Sequence, residues 1–529
     1  MMADDSRFDL LSLQGELPSF AVIAPVSSGT GFSFPTLYRS LQRVKRGDWH
    51  LFVVGPEVDG TQFAADPNVT AVRTEPGFAP SVDAALAIMD ATYVMVAQDD
   101  GEISPAIFEG IAETLDGDQA DLIYADECVI RNRGKQIVFK PDFSPERLRC
   151  QFYLGNPVFY RTELVRKLGG LSSDYPGAEM YDLALRVARE KPQVLHLRHV
   201  MFTAPKGTPQ PGSITDARGL ESVRQVLSEH LEATGGGYVS AVDKSGVHQT
   251  HRSVIGEPLV SIIIPTRGTF DTFGGAARSL VVDCVRSIVE LSTYTNIELV
   301  VVIDAIADPE VVASLTEIGG DRLTLVWWDQ PFNFSAKVNA GVFHARGDYV
   351  LFLNDDTKVI APRWIEPMLA LCQLPGAGMA GAMLYFEDDS IQHAGHLYEA
   401  GDAGHIGTND VRGSAGPFGS YRVEREISGV TAACSLMPRA VFEAVGGFSL
   451  LLPGNFNDVD LCMKVTQLGY QIYWTPFSEL YHYESKTRIS RVARYEVDTA
   501  WGRWEWRMDD PTYWPYGMLA TIEEEATAE

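Results

Sequence analysis

The sequence predicts an α/β protein made of two tandem domains, each built on a Rossmann-like, mostly parallel sheet, with a short helical linker between them. Two observations carry this. Residues 20–26 (FAVIAPV) and 259–265 (LVSIIIP) are short, unbroken apolar runs that close on a proline. An unbroken run, rather than an alternating one, is the pattern of a strand buried on both faces of a parallel sheet. Further on, residues 83–100 (DAALAIMDATYVMVAQDD) and 339–356 (NAGVFHARGDYVLFLNDD) share a small-residue helix, a turn, an apolar strand and a terminal pair of aspartates. Strands and helices alternating in this order mean α/β units. Their recurrence implies an internal duplication, with a period too long for a solenoid.

The elements follow in order. After the first strand, Pro35–Val44 has helical spacing and His50–Val54 reads as the next strand; in the second half the same places fall to Ala277–Leu291 and Ile297–Ile303. The first domain is placed at 18–205. Residues 206–256 hold KGTPQPGS, a helix-like LESVRQVLSEHLEA and three glycines, and read as a linker with one helix. The second domain is placed at 257–490. Residues 491–529 form an aromatic-rich extension whose acidic end, IEEEATAE, is expected to fray.

Composition excludes some function classes. Among 529 residues, Lys plus Arg is 43 and Asp plus Glu is 70, a net charge of -27. This argues against nucleic-acid binding, which needs clustered positive charge, and against broad adhesion to an anionic membrane. It suits a soluble protein, or one that holds a divalent cation. The cysteines (Cys128, Cys150, Cys284, Cys372, Cys434, Cys462) form no C-x-x-C pair and no zinc spacing, so reduced core thiols and a cytoplasmic setting are expected. The first residues, MMADDSRFDL, lack the basic and apolar regions of a signal peptide. No run reaches the ~20 apolar residues of a membrane span. A membrane-bound partner stays compatible with all of this.

The strongest chemical signal is Leu351–Asp356 (LFLNDD), at the end of a strand. Ligands of open α/β sheets bind beyond the carboxyl ends of strands. Two acids there suit a hard divalent cation, which can neutralise a diphosphate. Taken alone, the same residues also read as a solvated turn.

The surroundings add to this: PFNFSAKVNAG at 331–341, SGVTAACSLMPRAVFEAVGGF at 428–448, NFNDVDLCMK at 455–464 and YHYESK at 481–486. This ordered set resembles the family 2 glycosyltransferases over residues 259–488. The nearest branch is the rhamnosyltransferase- and galactofuranosyltransferase-like enzymes of bacterial cell-surface polysaccharides. The resemblance implies a GT-A fold, in which one sheet holds a nucleotide-sugar and an acceptor half follows. It places Pro265, Thr266 and Arg267 against the nucleotide and gives Asp304 the acid that contacts base or ribose. Here Asp304-Ala305-Ile306-Ala307 replaces the family's Asp-Asn-Gly-Ser. Lys337 and Asn339 match the helix closing the base pocket. Asn354-Asp355-Asp356 matches the Asp-x-Asp metal motif with Asn in its first place; Asp356 and the late His482 are the implied metal ligands, with Asn354 and Asp355 on the donor side. Asp458, in Asn457-Asp458-Val459-Asp460, would be the catalytic base. Asp460 is either acceptor-side or a helix cap. The loop 428–434, with Gly429 and Thr431, faces the sugar; its small residues let backbone approach a ligand. Gly446-Gly447-Phe448 would shape the acceptor loop, and Trp364 reads as core.

The first domain resembles the family too, through DLIYADE at 121–127, FKPDFSPERL at 139–148 and NPVFYRTELVRKLGG at 156–170, with Asp99-Asp100 in the metal-motif position. Met180 stands where the base belongs, Thr203 where the histidine belongs, and Val53-Val54-Gly55-Pro56 lacks the acid. The expectation is a degenerate copy serving packing, dimerisation or acceptor positioning.

The resemblance thus implies an inverting glycosyltransferase dependent on a divalent metal (Mn or Mg). It would use a dTDP- or UDP-sugar donor and a cell-surface polysaccharide or lipid-linked glycan acceptor, in the cytoplasm or at the inner face of the plasma membrane. A homo-oligomer and peripheral membrane contact are compatible with it. Trp501, Trp504, Trp506, Tyr513, Trp514 and Tyr516 either pack the extension onto the second domain or meet a lipid-linked acceptor. Without a basic stripe, strong membrane binding is not expected. The alternative from another class is a non-catalytic nucleotide-sugar-binding scaffold of a polysaccharide assembly complex, against which the intact Asp458, Asp356 and His482 argue. A nucleotidyltransferase needs a Gly-rich, basic loop after the first strand, which Arg267-Gly268 followed by Thr-Phe-Asp matches poorly.

Overall fold

The computed structural model describes residues 18–522 except 27–33, 60–64, 99, 116–118, 133, 210–211, 215, 274–275, 484–491 and 516–518. Asp99, Tyr516, the first ten residues, the end of the YHYESK motif and the acidic terminus from 523 lie outside the described residues.

Two large sheets organise the chain. The first holds β1 (Ser19–Pro25), β2 (Asp48–Gly55), β3 (Val69–Arg73), β4 (Tyr93–Val96), β5 (Glu102–Ile103), β6 (Leu122–Arg131), β7 (Val158–Arg161) and β8 (Val194–Ala204). The second holds β9 (Val260–Thr266), β10 (Ile297–Asp304), β11 (Leu323–Trp328), β12 (Tyr349–Leu353), β13 (Thr357–Val359), β14 (Ala377–Tyr385), β15 (Cys434–Pro438) and β16 (Gln471–His482). The first sheet runs β3-β2-β1-β4-β7-β6-β8-β5 and the second β11-β10-β9-β12-β15-β14-β16-β13. Each of these eight strands in one sheet has its counterpart in the other, and each sheet holds two further short strands. Directions agree as well: the β1–β2 and β9–β10 pairs are parallel, the β4–β7 and β12–β15 pairs antiparallel. The duplication read from the aspartate-ended strands is therefore a duplication of topology.

The apolar runs form central strands because both faces are covered. Val260, Ile262 and Ile264 turn to one core and Ile263 to the other, all fully buried. Ala21 and Ile23 face away from Phe20, Val22 and Ala24 in the same way. The helix expected from Ala277 starts at Leu280, because Ala276–Arg278 is drawn into a hairpin with Asp271–Phe273. All six cysteines are buried and carry no disulfide. No helix among the described residues is long and apolar enough to cross a membrane.

Six helices matter below: α1 (Pro35–Leu41), α2 (Glu179–Arg189), α3 (Ala217–Ala233), α4 (Phe334–His344), α5 (Asn457–Gln467) and α6 (Arg494–Trp504). Helix α3, capped by Asp216 accepting from the Gly219 N–H, is the helix expected between the domains. It is not a free-standing connector, since Val223, Val226 and Leu227 join the α2 residues in the core of the first sheet.

The two sheets are joined by buried charge. Helix Pro145–Cys150 meets the short strand Arg425–Glu426. Arg149 reaches Glu424 at 2.5 Å and Glu146 at 2.9 Å, and Arg252 reaches Glu146 at 2.5 Å. Ser144 Oγ donates to Glu426, whose other oxygen accepts from the Glu146 N–H at 3.1 Å. The chain end also ties the halves together: Leu519–Ile522 pairs antiparallel with Gly134–Val138 of the first sheet, and Trp514 packs against cores of both domains.

Burial, and then the negative charge of Glu146, pushes the Glu426 carboxyl up to about 7. The folded chain thus holds a proton that the unfolded chain releases near pH 4.5. A raised carboxyl contributes stability that is present below the unfolded pKa and lost as pH rises through the folded one. Wild type should therefore lose melting temperature relative to Glu426→Gln as pH climbs from about 5 to 8. Parallel melting curves across that window would show that Glu426 is not protonated in the fold.

Candidate active site

The carboxyl ends of the second sheet open into a cleft of about 770 Å³. Strands β9, β10 and β12 each deliver residues to its rim. Pro265, Thr266 and Arg267 end β9 and run into the following loop, Asp304 ends β10, and Asn354, Asp355 and Asp356 follow β12. Helix α4 adds Lys337 from behind. Its ammonium, almost wholly buried, donates to the Thr266 carbonyl at 2.6 Å and to Asp304 at 2.5 Å. Burial lowers the Lys337 pKa, and Asp304 works against that shift. The pair fixes Asp304 at the rim of the cleft.

The acids after β12 crowd one another. Burial, with the charge of Asp356 beside it, raises the Asp355 carboxyl to about 7. His482, at the end of β16, sits opposite Thr357 in the ladder and so faces the same acids. Its Nδ1 lies 2.6 Å from Gln392 Oε1, while the Gln392 amide donates to the His482 carbonyl. That arrangement puts the ring proton on Nδ1 and the lone pair on Nε2. Nε2 in turn accepts from the Asn354 amide at 3.1 Å and lies 3.1 Å from Asp356 Oδ1. A lone pair facing a carboxylate oxygen at that distance, beside a second crowded carboxyl, is a donor set that fits a divalent cation.

Across the cleft, α5 begins after Phe456, a residue in the left-handed region at φ 56°. This turn aims Asp458 back at the loop 428–434. Asp458 Oδ2 accepts from Thr431 Oγ1 at 2.9 Å and from the Ala432 N–H at 3.3 Å. Helix α6 steadies the turn, because Glu496 accepts from the Gly454 and Asn455 N–H groups. The extension thus packs on the second domain through Trp504 and Met508, both buried, while Trp506 stays exposed.

Three expected site residues lie outside the cleft. Asn339 both donates to and accepts from the Phe448 backbone, at 2.9 Å each way, and so clasps the Gly447 loop onto α4. Gly429 gives room behind the cleft: a Cβ there would strike the Tyr398 hydroxyl and the His396 ring. Asp460 is fully buried and accepts from Arg503 and Trp504 of α6 at 2.9 Å each. Its counterpart in α2, Asp182, likewise pairs with a cation four residues on. Asp460 is therefore an anchor for α6 rather than an acceptor-side group. Conversely, Phe332, Phe334, Gln392, His396 and His405 line the cleft and were not singled out from sequence. Phe332 and Phe334 lie in the segment PFNFSAKVNAG, where two aromatic side chains in a polar stretch were the available signal.

In the first sheet the same positions are differently used. Asp100 Oδ1 accepts from the Thr36 and Leu37 N–H groups at 2.8 and 3.0 Å, capping α1. Met180 is packed into the core. The ladder pairs Glu102 with Thr203, so one step along Ala204 faces Gly101. Ala204, rather than Thr203, thus corresponds to His482.

Residues 261–446 match the family model "Glycosyl transferase family 2". Over 94% of its length the chain is 33% identical to the uncharacterized protein y4gI of Sinorhizobium fredii, covering 57% of that protein. Over 76% it is 30% identical to the O-antigen biosynthesis protein RfbC of Myxococcus xanthus, covering 32% of it. The chain therefore spans little more than half of one relative and about a third of the other. Among solved structures, S. aureus TarS 1-349 aligns with a TM-score of 0.33 at 17% identity, over 40% of this chain and 65% of that one. The match to glycosyl transferase family 2 covers the second sheet from β9 past β15 and takes in the Asp304, Lys337, Asp356 and Thr431 side of the cleft.

Proposed function

We propose that the second domain is an inverting, metal-dependent glycosyltransferase that moves a sugar from a dTDP- or UDP-sugar to a polysaccharide or lipid-linked glycan acceptor. The observation that carries it is the convergence, in one cleft, of an acid–lysine pair at Asp304, a carboxylate–histidine set at Asp356 and His482, and an oriented carboxylate at Asp458. The family match and the name of the Myxococcus xanthus relative agree with sugar transfer in polysaccharide assembly.

Each group has a task. Thr266, Asp304 and Lys337 hold the nucleoside. Asp356 and His482, with Asp355 beside them, would hold a divalent cation. When bound, such an ion supplies positive charge opposite the departing diphosphate. Asp458, held by Thr431 and Ala432, takes the proton from the acceptor hydroxyl as it attacks, since a hydroxyl is a weak nucleophile at neutral pH. One displacement, with base and leaving group on opposite faces of the sugar, inverts the anomeric centre.

The first domain is read as a copy without chemistry. Its Asp100 is spent on a helix cap, its base position is the buried Met180, and Ala204 replaces the histidine. It contributes a packing partner through Arg149 and Glu146. A cytoplasmic setting goes with the nucleotide-sugar donor.

Calorimetric titration of wild type and Asp356→Ala with UDP, dTDP and GDP, with and without Mn²⁺, tests this reading. One metal-dependent site, lost in the variant, is expected. Two sites would mean that the first domain also binds nucleotide. No binding of any nucleotide would leave the scaffold reading without its ligand and end the transferase reading.

A further inference from the structure

Three histidines that the transfer chemistry does not use stand together beside Asp458. His393 ends the short strand Ile391–His393, which pairs with β14, while His396 and His405 face each other across the hairpin Leu397–Gly404. Each offers one ring nitrogen, and these atoms all lie within 4.8 Å of one another. The Nδ1 atoms of His393 and His405 are 3.0 Å apart. His393 and His396 are buried, whereas His405 is exposed and lines the cleft.

We infer that these three imidazoles form a site for a transition-metal ion of the zinc class, separate from the carboxylate site at Asp356 and beyond the transferase reading. Imidazole is the ligand type that suits zinc, copper, nickel and iron, while hard oxygen sets suit magnesium and calcium. Zinc–nitrogen bonds of about 2.0–2.1 Å put the donors of a tetrahedral ion roughly 3.3 Å apart. The His393–His405 pair is within a few tenths of an ångström of that, and the third ring must close by up to about 1.5 Å.

Without an ion, hydrogen bonds hold the cluster. The Thr431 N–H points at His393 Nε2 at 3.3 Å, which leaves the ring proton on Nδ1, toward His405. An ion takes the place of that shared proton, and His393 changes tautomer and gives up the long Thr431 contact. An outer group that orients a metal-bound histidine is present: the Tyr398 hydroxyl is 3.1 Å from His396 Nδ1, which leaves Nε2 to the ion. Gln392, which orients His482, is the residue next to His393. One short strand thus serves both sites.

The probe is the metal alone. The whole, untagged chain is stripped with a chelator and titrated with Zn²⁺, and Co²⁺ absorption reports nitrogen ligation. Wild type and Asp356→Asn should alike bind the equivalent that gives the Co²⁺ nitrogen signal, any further equivalent in wild type belonging to the carboxylate site. His405→Gln and His393→Gln should each weaken the nitrogen-ligated equivalent by about tenfold or more and abolish the Co²⁺ signal. His405 is exposed, so its replacement keeps the fold, and circular dichroism checks both variants. Absence of binding to wild type, binding unchanged in both histidine variants, or binding lost in Asp356→Asn would each overturn the site. No donor or acceptor enters the measurement, so its outcome is separate from that of the transferase reading.

Discussion

Asp458→Asn is expected to lower the rate of sugar transfer by about 10²–10⁴-fold while leaving nucleotide binding and melting temperature near wild type. The side chain is held by Thr431 Oγ1, the Ala432 N–H and the Val459 N–H, so its direction is set by three donors. An amide of the same shape keeps the volume and can still accept with its oxygen, but it takes no proton. Asp458 also lies on the open side, whereas Asp460, two residues on, is sealed against α6. The comparison between the two is decisive. Asp460→Asn removes charge opposite Arg503 and Lys464 and should reduce stability with little effect on the rate per folded molecule. Single-turnover transfer, nucleotide titration and melting curves on the same preparations separate the effects. Full activity in Asp458→Asn, or an equal loss in Asp460→Asn, would remove Asp458 as the base.

The sheet core was legible because its code is local. A strand covered on both faces must be apolar throughout, and FAVIAPV and LVSIIIP are; the terminal aspartates mark where the sheet ends. Asp356, which follows a strand directly, was readable for the same reason, whereas Asp304 was singled out only through the family resemblance. Asn339, Gly429 and Asp460 sit beside true cleft residues in sequence, and only the helical turn or the loop path sends them elsewhere. Asn339 is two positions from Lys337, which on a helix points it to a different face. The histidine cluster was visible only as a spacing, His393, His396 and His405, on strands too short to show a pattern. The contacts between domains could not be read at all. Ser144 and Glu426 are 282 positions apart, and each alone is an unremarkable polar residue. A buried polar contact is a statement about two distant segments, and neither segment carries it.

That interface holds the other large expected effect. Arg149→Met should destabilise the chain by about 3–5 kcal/mol, the range for removing one partner of a buried charge network. Arg149 is fully buried and serves Glu146, Glu424 and Thr250 at once. Methionine fills much of the volume, so the loss is mainly electrostatic: Glu424 is left with Thr475, and Glu146 depends on Arg252. Arg149 also spans the join between the sheets, so its loss should let them separate before either unfolds, giving a broader transition or two. Arg46→Ala is the matched control. Its partner Glu109 is at a similar distance, 2.9 Å, but both side chains are exposed, and the expected cost is about 0–1 kcal/mol. Replacing Glu424 with Gln alongside Arg149→Met should recover part of the stability, because it removes the stranded charge. Denaturant titration of the four proteins checks this. If Arg149→Met costs no more than Arg46→Ala, water reaches the cluster and the sheets are joined by apolar packing around Trp514 instead. If Glu424→Gln restores nothing in the double variant, the loss lies in packing against the Thr250 hairpin rather than in the buried charge.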